Sequence, residues 1–147
     1  MLDQSPLSQL LNALSDALGQ AVGMDEHDEC VIEFDEAVEV VLAQVPDTQV
    51  LSLRSALTTA GQPLERDLLQ KALAFNYTDM PPGCAIALDQ ASQQLVMVAL
   101  VDADRTCADD FLTLLSGMVE LVPQLRESFE TPRYPAESAM EGIGAWA

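Results

Sequence analysis

Residues 75–102, FNYTDMPPGCAIALDQASQQLVMVALVD, read as a helix end, a Pro-Pro-Gly turn and two apolar strands. CAIAL at 84–88 is the first strand, Asp89 to Gln93 are the link, and QLVMVALVD at 94–102 is the second. That second strand is apolar on both faces, which requires a central position covered on both sides, or an interface. The stretch holds no general base, no nucleophile with a partner and no set of metal ligands. So much surface to bury and so little chemistry point towards contact with another polypeptide.

Upstream, Gly61-Gln62-Pro63 punctuates the chain and starts a helix, PLERDLLQKALAF, over 63–75. Its apolar residues, Leu64, Leu68, Leu69, Ala72, Leu73 and Phe75, spread wider than one stripe. They are either plain core, or core on one side and a subunit interface on the other. At the N-terminal end, SPLSQLLNALSDALG offers Ser5 as N-cap, Pro6 at the first helical position and Gly19 as terminator. Leu7, Leu10, Leu11, Leu14 and Leu18 recur between them at spacings of three and four. Three short strands follow: CVIEF at 30–34, AVEVVLAQ at 37–44 and TQVLSLRSAL at 48–57, with tight links that suggest an antiparallel meander.

Downstream, a last helix is expected from about Thr106 to Glu127. Thr106 would cap it, and Asp109 and Asp110 would sit against the positive end of its dipole. Pro123 should kink it or end it early. SFETPRYPAESAMEGIGAWA, from 128 on, reads as a mobile tail. The reading is one α+β domain over 1–127, ordered α-β-β-β-α-β-β-α, with a twisted, mainly antiparallel sheet packed by helices.

Composition narrows the function. The chain has 147 residues, 49% of them apolar and 20% charged, enough for a globular core without disulfide or metal staples. Its formal charge is −18, with 24 acidic residues against Lys71 and five arginines. Such a chain repels phosphate backbones and anionic membranes, so neither nucleic acid nor membrane is expected as a partner. Cys30, Cys84 and Cys107 are odd in number, far apart and outside any CxxC, which fits reduced thiols. MLDQSPLSQLL has no basic n-region or signal-type apolar core, and the longest apolar run, LVMVALV at 95–101, is too short to span a bilayer. A cytoplasmic location is expected.

Chemical sites fail one by one. An EF-hand frame set on Asp25 in the run DEHDE puts Cys30 where the loop needs glycine, and the Asp102–Asp110 stretch fails likewise at Cys107. His27 is the only histidine, and no serine stands in a GxSxG elbow. Each cysteine sits among apolar residues with few cations to activate it. No glycine-rich loop precedes a helix, and the single lysine is outside any Walker context. No catalytic residue, cofactor site or metal site is therefore assigned, and the chain is read as no enzyme.

Apolar surface is the stronger signal. Val31 and Val41 share strand faces with Glu33 and Glu39, where a one-sided sheet would carry only polar residues. Either helices cover both faces, or the valines line a groove kept for a partner. Leu11, at the margin of the first helical stripe, belongs with them as a candidate partner contact, whereas Leu10, Leu14 and Leu18 are read as core.

Taken together, these segments resemble the class I type III secretion chaperones, the family typified by the Tir chaperone. LLNALSDALG resembles its first helix, and ECVIEFDEAVEVVLA its acidic turn and first hairpin. LLQKALAFN followed by GCAIALDQASQQLVMVALV resembles its leucine-rich second helix, asparagine-containing corner and long apolar strands. FLTLLSGMVELVPQL resembles its closing helix; Pro123 and the terminal GIGAWA depart from the pattern. The match runs over about residues 5 to 127. The resemblance implies a bacterial, cytoplasmic homodimer joined through the second helix and an adjacent strand, which here means Leu68, Leu69, Ala72, Leu73, Val96 and Val98. It implies a client too: the N-terminal segment of a secreted effector, held extended without ATP. A regulator of the same fold, an unrelated adaptor domain and an unrecognised enzyme stand as rival readings.

Overall fold

The computed structural model describes residues 5–34 and 38–130, with the side chain of Glu130 excepted. Helix α1 spans Pro6–Leu18 and is followed by strands β1 (Glu29–Phe34), β2 (Val38–Gln44) and β3 (Val50–Ala56). Helix α2 (Arg66–Thr78), strands β4 (Cys84–Asp89) and β5 (Gln94–Asp102) and helix α3 (Ala108–Glu130) complete the order. It is the α-β-β-β-α-β-β-α succession expected. The strands form one sheet in the order β1-β2-β3-β5-β4, every neighbouring pair antiparallel.

Local chemistry sets the element ends. The Ser8 N–H donates to Ser5 Oγ at 3.1 Å, and Gly19 at φ 70° lets its own N–H and that of Gln20 both reach the Ser15 carbonyl. At the Pro-Pro-Gly turn the Cys84 N–H donates to the Pro81 carbonyl, with Gly83 at φ 85° in the position where such a turn needs positive φ. Helix α2 begins at Arg66, three residues later than expected, so Pro63 precedes the helix instead of opening it. Cys107 precedes α3 where Thr106 was expected, and the Phe111 N–H donates to the Cys107 carbonyl.

Pro123 does not end α3. The helix runs on to Glu130 with Phe129 buried, so the packed chain reaches beyond 127. Burial of Val122, Leu125 and Phe129 outweighs the single backbone bond that the proline ring removes. The remainder of the expected tail, 131–147, lies outside the described residues.

The core occupies one side of the sheet. Ile32, Val40, Leu42, Leu51, Leu53, Met97 and Val101 point there and meet Leu10 and Leu14 of α1 and Phe111, Leu115 and Met118 of α3. Helix α1 packs on α3, α3 crosses β2 and β5, and α2 lies beside β4. The long strand at 94–102 is thus fourth of five, and the described helices cover it on one face. Leu18, read as core, is only half-buried.

Candidate functional site

Antiparallel register brings the residues of the other sheet face into rows. One row reads Val31, Val41, Arg54, Val98 and Ala85 across all five strands. Val31 is 56% exposed and Leu100, two residues along from Val98, is 66% exposed, so this face is open at both places. Three residues from the two proposed surfaces, Val31 and Val41 on one hand and Val98 on the other, therefore share one face. Arg54 stands between them and reaches Glu29 at 3.8 Å.

The two edges of the sheet differ. Along β4 the backbone of Cys84, Ile86 and Leu88 points outward. The Asn76 carboxamide from α2 donates to the Ile86 carbonyl at 2.9 Å and accepts from the Ile86 N–H at 2.7 Å. With the Cys84 N–H held by Pro81, most of that edge is closed. Along β1 the outward residues are Glu29, Val31 and Glu33. Asp25 closes the first: its N–H donates to the Glu29 carbonyl at 2.7 Å, and its Oδ1 accepts from the Glu29 N–H at 3.0 Å. The outward N–H and C=O groups of Val31 and Glu33 have no partner among the described residues.

A cleft lies beyond each end of β1, and α1 borders both. The first, of about 470 Å³ at the α1 N-terminus, is lined by Ser8, Leu11, Asn12, Met24, Asp28, Gln44 and Gln49. There Gln49 Oε1 accepts from the Leu7 N–H at 3.0 Å, which ties the helix start to the β2–β3 turn. The second, of about 410 Å³, is mostly apolar and lies between Leu14, Ala17 and Leu18 of α1, Phe34 of β1, and Leu112, Leu115 and Val119 of α3. The six residues of β1 connect the two, a span of roughly 20 Å at strand rise.

Helix α2 presents a separate apolar strip. Leu69, Leu73 and Tyr77 recur at four-residue spacing, with Leu73 68% and Tyr77 90% exposed. Of the six residues placed at a subunit interface, Leu73 projects outward and Leu68, Leu69 and Val98 are half-buried. Ala72 and Val96 are already buried in the protomer. Leu11, placed at the client groove, is buried in the main cluster while lining the first cleft. Tyr77, Leu88 and Leu100 escaped the sequence reading, although Tyr77 and Leu100 continue the spacings of Leu69–Leu73 and Val96–Val98.

Nothing in this surface activates a reacting group. Burial raises the thiols of Cys84 and of Cys30, in the latter against an opposing backbone hydrogen bond. Backbone N–H groups of Glu29 and His27 lower Asp25, and the Ser92 hydroxyl lowers Asp89, in both cases as turn-forming hydrogen bonds. Among the described residues no three His, Cys, Asp or Glu side chains converge on a metal position. Nor is any described helix long and apolar enough to cross a membrane.

The sequence model of the Tir chaperone protein (CesT) family matches residues 9–126, from within α1 to within α3. The chain belongs to this family. Among curated proteins, no sequence matches it. Solved structures of similar fold include the HopA1–SchA chaperone–effector complex, at 22% identity, a TM-score of 0.67 and coverage of 86% of this chain and 99% of that one. The ExsC–ExsE complex gives 17% identity, a TM-score of 0.69 and coverage of 86% and 96%. The ExoT–SpcS complex from Pseudomonas aeruginosa gives 14%, 0.61, and 83% and 98%. All three align over nearly the whole of their own chains.

Proposed function

We propose that this family member is a cytoplasmic, ATP-independent secretion chaperone, not an enzyme, which holds the N-terminal segment of a type III effector extended against its surface. The observation that carries the reading is the edge of β1 at Val31 and Glu33, unpaired among the described residues and running between two clefts beside α1. An extended segment adds a strand there, completes the outward main-chain hydrogen bonds and places apolar side chains in the cleft at Phe34 and Leu18. Ordering the segment costs about 2–5 kcal/mol, which the buried apolar area offsets without a nucleotide. The solved HopA1–SchA chaperone–effector complex, similar in fold, supports this partner class. Two copies associate through the Leu69–Leu73–Tyr77 strip, on an interface of about 1,600 Å² in total.

Co-purification from the native host tests the reading. A stoichiometric partner that is exported, protected from protease only over a segment near its N-terminus, is the expected result. A partner that stays in the cytosol would move the reading to a regulator, and a chain that purifies alone would remove its basis. Val31→Asp and Val41→Asp should weaken that complex while leaving the melting temperature in place. Leu11→Asp should lower the melting temperature as well, because Leu11 is buried. Sedimentation should give twice the 15.9 kDa chain mass, reduced to monomer by Leu73→Glu.

A further inference from the structure

The edge of β1 carries a charge arrangement that limits which segments fit it. The Gln44 N–H donates to the Asp28 carbonyl, and hydrogen-bonded pairs alternate from there along β1 and β2. Val31–Val41 and Glu33–Glu39 are therefore non-hydrogen-bonded pairs, the kind that brings Cα atoms to about 4.5 Å and side chains closest together. Glu33 and Glu39 thus stand directly opposed on the open face, an unfavourable arrangement of like charges. Neither has an ion-pair partner among the described residues, and Arg54, the cation of that face, is engaged with Glu29.

Resting on the strand-addition reading above, we propose that β1 selects client segments in which an arginine or lysine stands two residues from an apolar residue. Side chains alternate along an added strand, so residues two apart share the open face. One lies beside Val31, where it buries apolar surface, and the other beside Glu33, where a cation neutralises the opposed glutamates. The residue between them faces the side of Ile32 and is apolar too. The rule holds for parallel and antiparallel addition alike; direction sets only whether the cation precedes or follows. It also makes the edge discriminating, since an acidic or wholly apolar strand would leave the two carboxylates uncompensated.

The test is a selection of phage-displayed random 12-residue peptides on the full chain, on Glu33→Lys and on Val31→Pro. Expected are wild-type binders rich in the cation–apolar–apolar triplet, which fail on Val31→Pro. Exchanging their Lys or Arg for Glu should weaken binding about three- to tenfold to the wild type. Binding to Glu33→Lys should improve by a similar factor. Binders that depend on Val31 yet show no charge preference would overturn the selection rule and leave strand addition standing. Binders indifferent to Val31→Pro, or no binders at all, would overturn both.

Discussion

The two sheet edges are built from the same kind of strand and finished in different ways. At β4 a helix supplies an asparagine whose carboxamide copies a peptide group and occupies both outward positions of Ile86. At β1 a turn does the same for Glu29, through Asp25, and the next two outward residues have no such partner among the described residues. Open edges invite uncontrolled pairing, and proteins usually blunt them with charge or covering elements. Here one edge is covered and the other is left open but charged, with Glu29 and Glu33 flanking Val31. The contrast indicates that β1 is open by design of the sequence around it, since an acidic edge resists association with copies of itself.

Proline at adjacent positions of β1 separates the ladder from the open edge most sharply. Ile32→Pro removes an inward N–H bonded to β2 and a buried side chain, and should destabilise the fold by about 3 kcal/mol or more in denaturant melts. Val31→Pro removes an outward N–H instead, a position where edge strands accept proline, and should shift stability by no more than about 1 kcal/mol. The same variant should weaken client binding by roughly tenfold, about 1.4 kcal/mol. Equal loss of stability in both variants would mean that the β1 edge is not free.

Removing the plug at the opposite edge comes next in size. Asn76→Ala leaves the Ile86 N–H and C=O unpaired in a half-covered site, which should cost about 1–3 kcal/mol. It should also raise concentration-dependent association, read by light scattering, because β4 then offers a pairing edge. Unchanged stability and scattering would show that α2 covers β4 without the carboxamide.

The smallest effect concerns the closure at Asp25. Hydrogen bonds from Glu29 and His27 lower its carboxyl from the ordinary 3.8, so it is charged in the fold where the unfolded chain begins to protonate. Its contribution is present above that pH and is lost as pH falls below it through the folded value. Amide exchange at Glu29 should accelerate below about pH 3.8 relative to Cys30, whose amide points inward to β2. Uniform acceleration along β1 would remove the distinction between closed and open positions.

Much of this architecture was legible in the residues. Ser5, Pro6 and Gly19 mark the ends of α1 because capping is local chemistry, and QLVMVALVD marks β5 to the residue. The α3 end was not legible, since the packing of Phe129 overrides the local meaning of Pro123. The outward exposure of Val31 could be read from alternation alone. The inward turn of Leu11 and Ala72 could not, because spacing defines a helix's faces without saying what each face meets. The asymmetry of the edges was beyond reach as well. It depends on Asn76 lying across from Ile86, a contact between a helix and a strand that no periodicity encodes.

The packing of α1 on α3 has a consequence for how the protein comes into being. Roughly 90 residues separate the two helices, and the helical side of the sheet is not sealed until both are in place. At ribosomal rates of about 5–20 residues/s, Leu10 and Leu14 wait on the order of 5–20 s for Phe111 and Met118 to be made. During that interval the apolar side of the sheet lacks the last helix that covers it in the finished fold. Its own strong negative charge is then the protection at hand, keeping neighbouring nascent copies apart until the last helix closes the core.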